Sequence, residues 1–278
     1  YHGQGILISE SGYRYEGAWD NGSKEGLGTI TYADGAIYSG WLVDDKRAGK
    51  GSLTTPDGLI LLGEWNNGEF NGKGTITQPN GDVYYGNITD GVQEGAGEAT
   101  YSNGDVYKGQ FSNGFRQGYG ELIGVDSYHF AGDWFEGEIE GLGTETYPDG
   151  SVYKGEFISN LADGNGEITY ANGATYKGKW KAGAVDGKGI STYPNGMIYD
   201  GNFKNGKIHG FGLMIFSDSY RYEGFWENGE RHGVGKVAYR DGTTYEGEFE
   251  AGQRSGKGIM QMQDGFEYKG QWLSGEMH

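Results

Sequence analysis

Residues 222–235 read Tyr-Glu-Gly-Phe-Trp-Glu-Asn-Gly-Glu-Arg-His-Gly-Val-Gly. Seven of these positions, Tyr222, Gly224, Trp226, Gly229, His232, Gly233 and Gly235, set the pattern for the whole chain. It returns every 23 residues along 278 residues, with no insertion or deletion. Self-similarity at a fixed short period marks a repeat array and takes precedence over any local reading.

Working outward, the leading aromatic recurs from Tyr15 to Tyr268, with Phe130 and Leu61 as its two substitutes. A Gly follows two residues later in every unit, from Gly17 to Gly270. A Gly-x-Gly closes the motif from Gly3-Gln4-Gly5 to Gly256-Lys257-Gly258. Of 57 glycines, 56 fall in five phases of the repeat, and only Gly124 is out of phase. The glycines therefore specify a backbone and do not make a flexible linker.

The motif Tyr-x-Gly-x-Trp-x-x-Gly, then Gly-x-Gly, then Asp/Asn-Gly before the next Tyr, resembles the MORN repeat, and the resemblance covers essentially the whole chain. It implies an all-β, single-layer antiparallel sheet of tandem 23-residue hairpins, used for binding and scaffolding. On this reading residues 1–278 form one continuous array. It holds eleven complete units over residues 15–267, flanked by partial units 1–14 and 268–278. The expected form is an elongated, twisted trough or ribbon.

Within a unit, Asp34-Gly35, Asn80-Gly81 and their equivalents lie between short alternating runs. They are expected to form two-residue hairpin turns with positive φ. A looser Gly-containing loop such as residues 21–25 is expected to join successive hairpins. Alternation assigns the faces. Tyr15, Gly17 and Trp19 share one side with Gly28 and Ile30, so a ring can lie over bare glycine backbone. The other side is expected to be Thr, Glu and Lys and to face water. Phe111, Gly124, Ser127 and Phe130 depart from the pattern together, which suggests a bend or seam near residues 111–130. Asp126-Ser127-Tyr128 and Asp218-Ser219-Tyr220 place Ser where other units have the turn Gly.

Net charge is −17, which argues against nucleic acid as a partner. There is no cysteine, so no disulfide or thiolate metal site. No apolar run is long enough for a spanning helix. The first residue is Tyr and the chain starts and stops mid-repeat, which suggests a removed leader or a piece of a longer array. Cytoplasmic and exported settings both remain open.

No catalytic constellation, cofactor motif or metal site is read from the sequence. Gly-x-Gly leads into a strand and not a helix, so it fails as a phosphate loop. Four histidines, His2, His209, His232 and His278, share one slot at a spacing too wide for a common zinc ion. Asp44-Asp45, and Glu136 with Glu138 and Glu140, lack the spacing of a calcium loop. The aromatic column is the candidate partner groove, with Tyr153, Tyr176, Trp180, Tyr199, Tyr222 and Trp226 as anchors. Lys154, Lys177, Lys179 and Lys181 form a candidate patch for an anionic partner. The expected function is a non-enzymatic scaffold that binds a peptide or protein. The alternatives are self-association through terminal repeats, attachment to an anionic membrane surface, and glycan binding.

Overall fold

The computed structural model describes residues 1–216 and 219–278. Among them all regular structure is β. Seven-residue strands such as Arg14–Asp20 alternate with nine-residue strands such as Ser23–Thr31, between a first strand Gly3–Ile8 and a last, Glu276–Met277. The chain divides into two compact units, Tyr1–Glu138 and Ile139–His278. Each unit is an antiparallel meander in which strands pair with their neighbours in sequence, as 14–20 does with 23–31 and 221–227 with 230–238.

The sheet is built around one contact. In the complete repeats led by Tyr, the ring folds flat over two glycines that face each other across the ladder; in the repeat led by Leu61, Phe70 covers Gly63 and Gly74 instead. Tyr15 covers the pair Gly17 and Gly28, and Tyr153 covers Gly155 and Gly166. A Cβ on Gly166 would sit 2.4 Å from the Tyr153 ring. The hydroxyl reaches past the glycine and donates to a carbonyl three residues on, as Tyr38 does to Trp41 O at 2.8 Å and Tyr176 to Lys179 O at 2.8 Å. Each buried phenol is thus satisfied locally.

The two connections are the reverse of what the dipeptides suggest. Both residues of Asn21-Gly22 have positive φ, 48° and 92°, so the tight two-residue turn sits there. At Asp34-Gly35 only Gly35 does, with φ 92°. Residues 32–36 form a wider loop closed by Tyr32 N–H to Ala36 O at 2.8 Å and Gly35 N–H to Tyr32 O at 3.0 Å. Asp34 is there as an acceptor: its Oδ1 takes the Ala36 N–H at 3.0 Å. Asn80 and Asn172 do the same for Asp82 and Ala174. The Gly slot of this loop holds Ser127 and Ser219, both left-handed at φ 74° and 71°, so serine is accommodated; Asp218 lies outside the described residues.

The first Gly of Gly-x-Gly has its own cause. Gly118 adopts φ 62° and lies beside a register shift in the ladder. The shift recurs in other hairpins, so this Gly is the left-handed residue of a β-bulge. Through residues 106–134 the pairing keeps this regular pattern, and Gly109, Gly120 and Gly132 align across the ladder. The expected seam at 111–130 does not appear in the pairing.

Repeats are tied together at the tight turns. The turn Gly N–H donates to a carbonyl one repeat back, as Gly68 does to Arg47 O at 2.9 Å and Gly206 to Val185 O at 2.8 Å. A side chain caps the preceding N–H: Asp163 accepts from Ala182 at 3.0 Å and Asp186 from Asn205 at 3.1 Å. These bonds couple nearest neighbours, the basis of stability in a repeat protein.

The two kinds of glycine predict different mutational costs. Gly166→Ala forces a carbon into the Tyr153 ring and should destabilise by about 3 kcal/mol. Gly173 has open space and φ 84°, so Gly173→Ser, which copies Ser127, should cost about 1 kcal/mol. Urea denaturation followed by tryptophan fluorescence would check the order; equal costs would contradict the ring-on-glycine account.

Candidate functional site

The sheet has an aromatic face and an open face. On the aromatic face the six candidate groove residues are brought into one continuous column and are buried: Tyr153, Tyr199 and Tyr222 are 0% exposed and Trp180 is 8%. Tyr176 and Trp226 are buried likewise. They stack edge to face along the second unit. Trp180 lies 4.9 Å from Tyr153 and 5.6 Å from Tyr176 between ring centroids, and Trp226 lies 5.7 Å from Tyr199 and 5.0 Å from Tyr222. Such pairs add about 0.5–1.5 kcal/mol each beyond area burial. Trp226 Nε1 donates to Gly212 O at 3.4 Å. These rings are the core of the sheet, and those of Tyr153, Tyr176, Tyr199 and Tyr222 lie against glycine backbone, not solvent.

Arginines close parts of this face. Arg116 stacks 4.0 Å from the Trp134 ring centre and donates to Gly137 O at 2.6 Å. Arg231 bonds Tyr220 Oη at 2.5 Å and Gly252 O at 2.6 Å. Arg47 and Arg254 repeat the contact over Trp65 and Trp272. Each links a ring to the next turn.

The four candidate lysines, Lys154, Lys177, Lys179 and Lys181, lie on the open face. Lys154 and Lys177 flank Glu167 across the ladder, and Lys177 Nζ is 3.4 Å from its Oε2. Similar exposed pairs join Lys108 to Glu98 and Lys236 to Glu246. Lys179 stands opposite Asn165, and Lys181 opposite Ala184. A hollow of about 500 Å³ lies on this face of the second unit, between Val234, Glu248, Lys257 and Lys269.

The remaining candidates have local roles. Asp44 and Asp45 form a tight turn, and Asp45 Oδ1 accepts from Lys24 N and Nζ at 3.0 Å each. The Lys24 N–H holds the Asp45 carboxyl below the usual carboxylate range. Glu140 caps Ser159 N–H at 2.9 Å. His2 Nδ1 lies 2.9 Å from Asp20, and His232 Nδ1 lies 3.6 Å from Glu227. Among the described residues no three His, Asp or Glu converge as metal ligands, and no helix is long and apolar enough to cross a membrane.

Sequence reasoning missed the apolar content of the open face. Leu27 and Trp41 oppose each other there, 59% and 49% exposed, and Phe211 and Phe225 pair at 5.6 Å between centroids. Leu62, Tyr85 and Tyr119 are also exposed. Comparing units slot by slot would have found them, because Leu62 and Tyr85 fill a slot that holds Lys108, Lys154 and Lys177 elsewhere.

Fold and faces together define a tandem β-hairpin repeat protein. The chain belongs to the MORN repeat family: twelve consecutive units match it, from 15–37, 38–60 and 62–83 through to 245–266 and 268–278. No curated protein matches the chain in sequence. Among solved structures, the SAS-4 (dCPAP) TCP domain of Drosophila melanogaster, in complex with a proline-rich motif of Ana2 (dSTIL), is 16% identical. That match covers 65% of this chain and 94% of that one, at a TM-score of 0.33. The wild-type TCP10 domain of Danio rerio CPAP is 13% identical over 96% of this chain and 100% of that one, at 0.29. A virginiamycin B lyase from Staphylococcus aureus is 13% identical over 98% and 85%, at 0.15. Likeness at these scores carries no functional argument.

The buried phenols predict an alkaline limit to the fold. Burial pushes Tyr153 and Tyr176 up to about 12 from an ordinary 10.0. The folded state holds these protons more tightly than the unfolded state. Their stabilising contribution is therefore complete below about pH 10 and is lost as pH rises from 10 to 12. Circular dichroism and tyrosinate absorbance should change together across that window. Trp226→Ala, which empties a core position, should cost about 3–5 kcal/mol in urea denaturation.

Proposed function

We propose that this chain is a non-enzymatic scaffold that binds a protein partner on its exposed sheet surface. The observation that supports this reading is the economy of the repeat. The leading aromatics of its repeats are used up inside the sheet, while on the open face Leu, Tyr, Phe and Trp side chains are left exposed among the described residues. Exposed apolar surface of this kind marks interaction sites. The family's repeats favour the same reading. The titratable groups described above cap turns or pair on the surface, and none is set beside a nucleophile in a cleft. The partner surface suggested by the sequence, the column from Tyr153 to Trp226, would have to act through ring edges.

Affinity capture with the whole chain from the source organism, followed by reconstitution with the purified candidate, tests the reading. One protein should be enriched and should bind the purified chain directly with micromolar or tighter affinity. Recovery of the chain's own copies alone, or flotation with anionic vesicles and no protein partner, would replace the scaffold reading with self-association or membrane attachment. Trp180→Ala and Trp226→Ala are unsuitable controls, because both positions are core.

A further inference from the structure

We propose that the open face of the first unit, over residues 23–89, docks an amphipathic helix with a row of Lys or Arg beside its apolar stripe. This deepens the scaffold reading and rests on it.

Two columns of side chains cross these strands on the open face. In the one nearer the wide loops, Thr31, Ile37, Thr54, Ile60, Thr77 and Val83 face one another in succession. The second runs parallel to it and carries Leu62 and Tyr85, with serines and threonines between. Ile37, Ile60, Leu62 and Tyr85 are 46%, 38%, 55% and 58% exposed. Neither column holds a charged side chain between Glu16 and Glu98. The equivalent second column in the other unit carries Lys154, Glu167 and Lys177. The uncharged run in the second column is therefore a property of this segment, whereas the first column stays uncharged from Thr146 to Ile215 in the other unit as well.

Charge selects the occupant. Residues 1–138 hold 20 acidic and 8 basic side chains. The loops bordering the first column present Asp34 and Asp57, and neither forms an ion pair among the described residues, while Lys50 and Lys73 stand on the far side, beyond the second column. An apolar stripe with an acidic border on one side fits a segment that is apolar on one face and basic along one flank.

Spacing selects the helix. One repeat advances two strands, about 9.6 Å. A helix returns to the same face every seven residues, about 10.5 Å, so a crossing of roughly 24° brings the two periods into step. An extended strand places same-side residues about 6.6 Å apart and falls out of step at once. A polyproline helix advances about 9.3 Å per turn, but such helices dock on aromatic-lined grooves, and this stripe is mainly Ile, Val, Leu and Thr.

The test is selection from a displayed library of helical peptides, with a fixed heptad apolar stripe and randomised flanks, against the whole chain. Enrichment of Lys and Arg on one flank is expected. Affinity of a selected peptide, read by fluorescence anisotropy, should fall at least about tenfold on Leu62→Lys with Tyr85→Lys. Those lysines are what other repeats carry in the slot, so the fold is kept. Asp34→Asn with Asp57→Asn, which retains the loop acceptor as Asn80 does, should weaken binding about threefold to tenfold and flatten its salt dependence. Failure to enrich any helix, enrichment of acidic flanks, or binding unchanged by the first pair of substitutions overturns the proposal. So does a preference for proline-rich peptides in a parallel selection. A captured protein partner that still binds the Leu62→Lys, Tyr85→Lys chain overturns this site while leaving the scaffold reading in place.

Discussion

A single-layer sheet has no second layer to bury its side chains against, and this protein answers that constraint with a ring laid on bare backbone. The Tyr15 ring covers Gly17 and Gly28, which oppose each other in the ladder. A Cβ at Gly28 would meet the ring, and one at Gly17 would meet the hydroxyl at 2.5 Å and the ring at 2.7 Å, so neither position can be anything larger without displacing the phenol. The hydroxyl then finds a carbonyl on its own strand. The next ring in line, Trp or Phe, meets the phenol edge to face. Tyrosine thus acts as the missing layer, and the two glycines that accept it lose folding entropy that the column of rings must offset.

That contact is also why so much was legible in the sequence. Tyr and Gly must recur in fixed phase for the rings to stack, so the period, the all-β class and the alternation of faces could all be read from Tyr15 to Tyr268. The turns were less legible because one dipeptide serves two geometries. Asn21-Gly22 needs positive φ at both residues, whereas Asp34-Gly35 needs it only at Gly35 and uses Asp34 as an acceptor. Composition does not separate these roles; the hydrogen bonds do. The column from Tyr153 to Trp226 was read as a groove, but aromatic type alone does not reveal that Tyr199 lies over glycine backbone and is fully buried.

The open face was the least legible part. In most repeats its slots hold Lys, Glu or Thr, and the common pattern hid the exceptions. Pairs such as Lys177–Glu167 are exposed, with side chains 76% and 52% accessible, and pairs of this kind contribute little stability. Their effect is on solubility and on keeping other surfaces away. A segment that lacks them, as between Glu16 and Glu98 in the second column, has given up that protection.

The fold therefore divides its two faces by how freely they can vary. On the aromatic face almost every position is tied to a ring, a glycine or a turn carbonyl, and a change there alters stability before it alters recognition. On the open face a slot can pass from Glu16 to Ser39, Leu62, Tyr85 and Lys108 with no change in the ladder beneath. Identity can be written on that face repeat by repeat, at about 9.6 Å per unit. A partner with a matching period reads several repeats at once, so its specificity grows with the number of units it spans while each contact stays weak. The uniformity of the core is what permits the diversity of the surface.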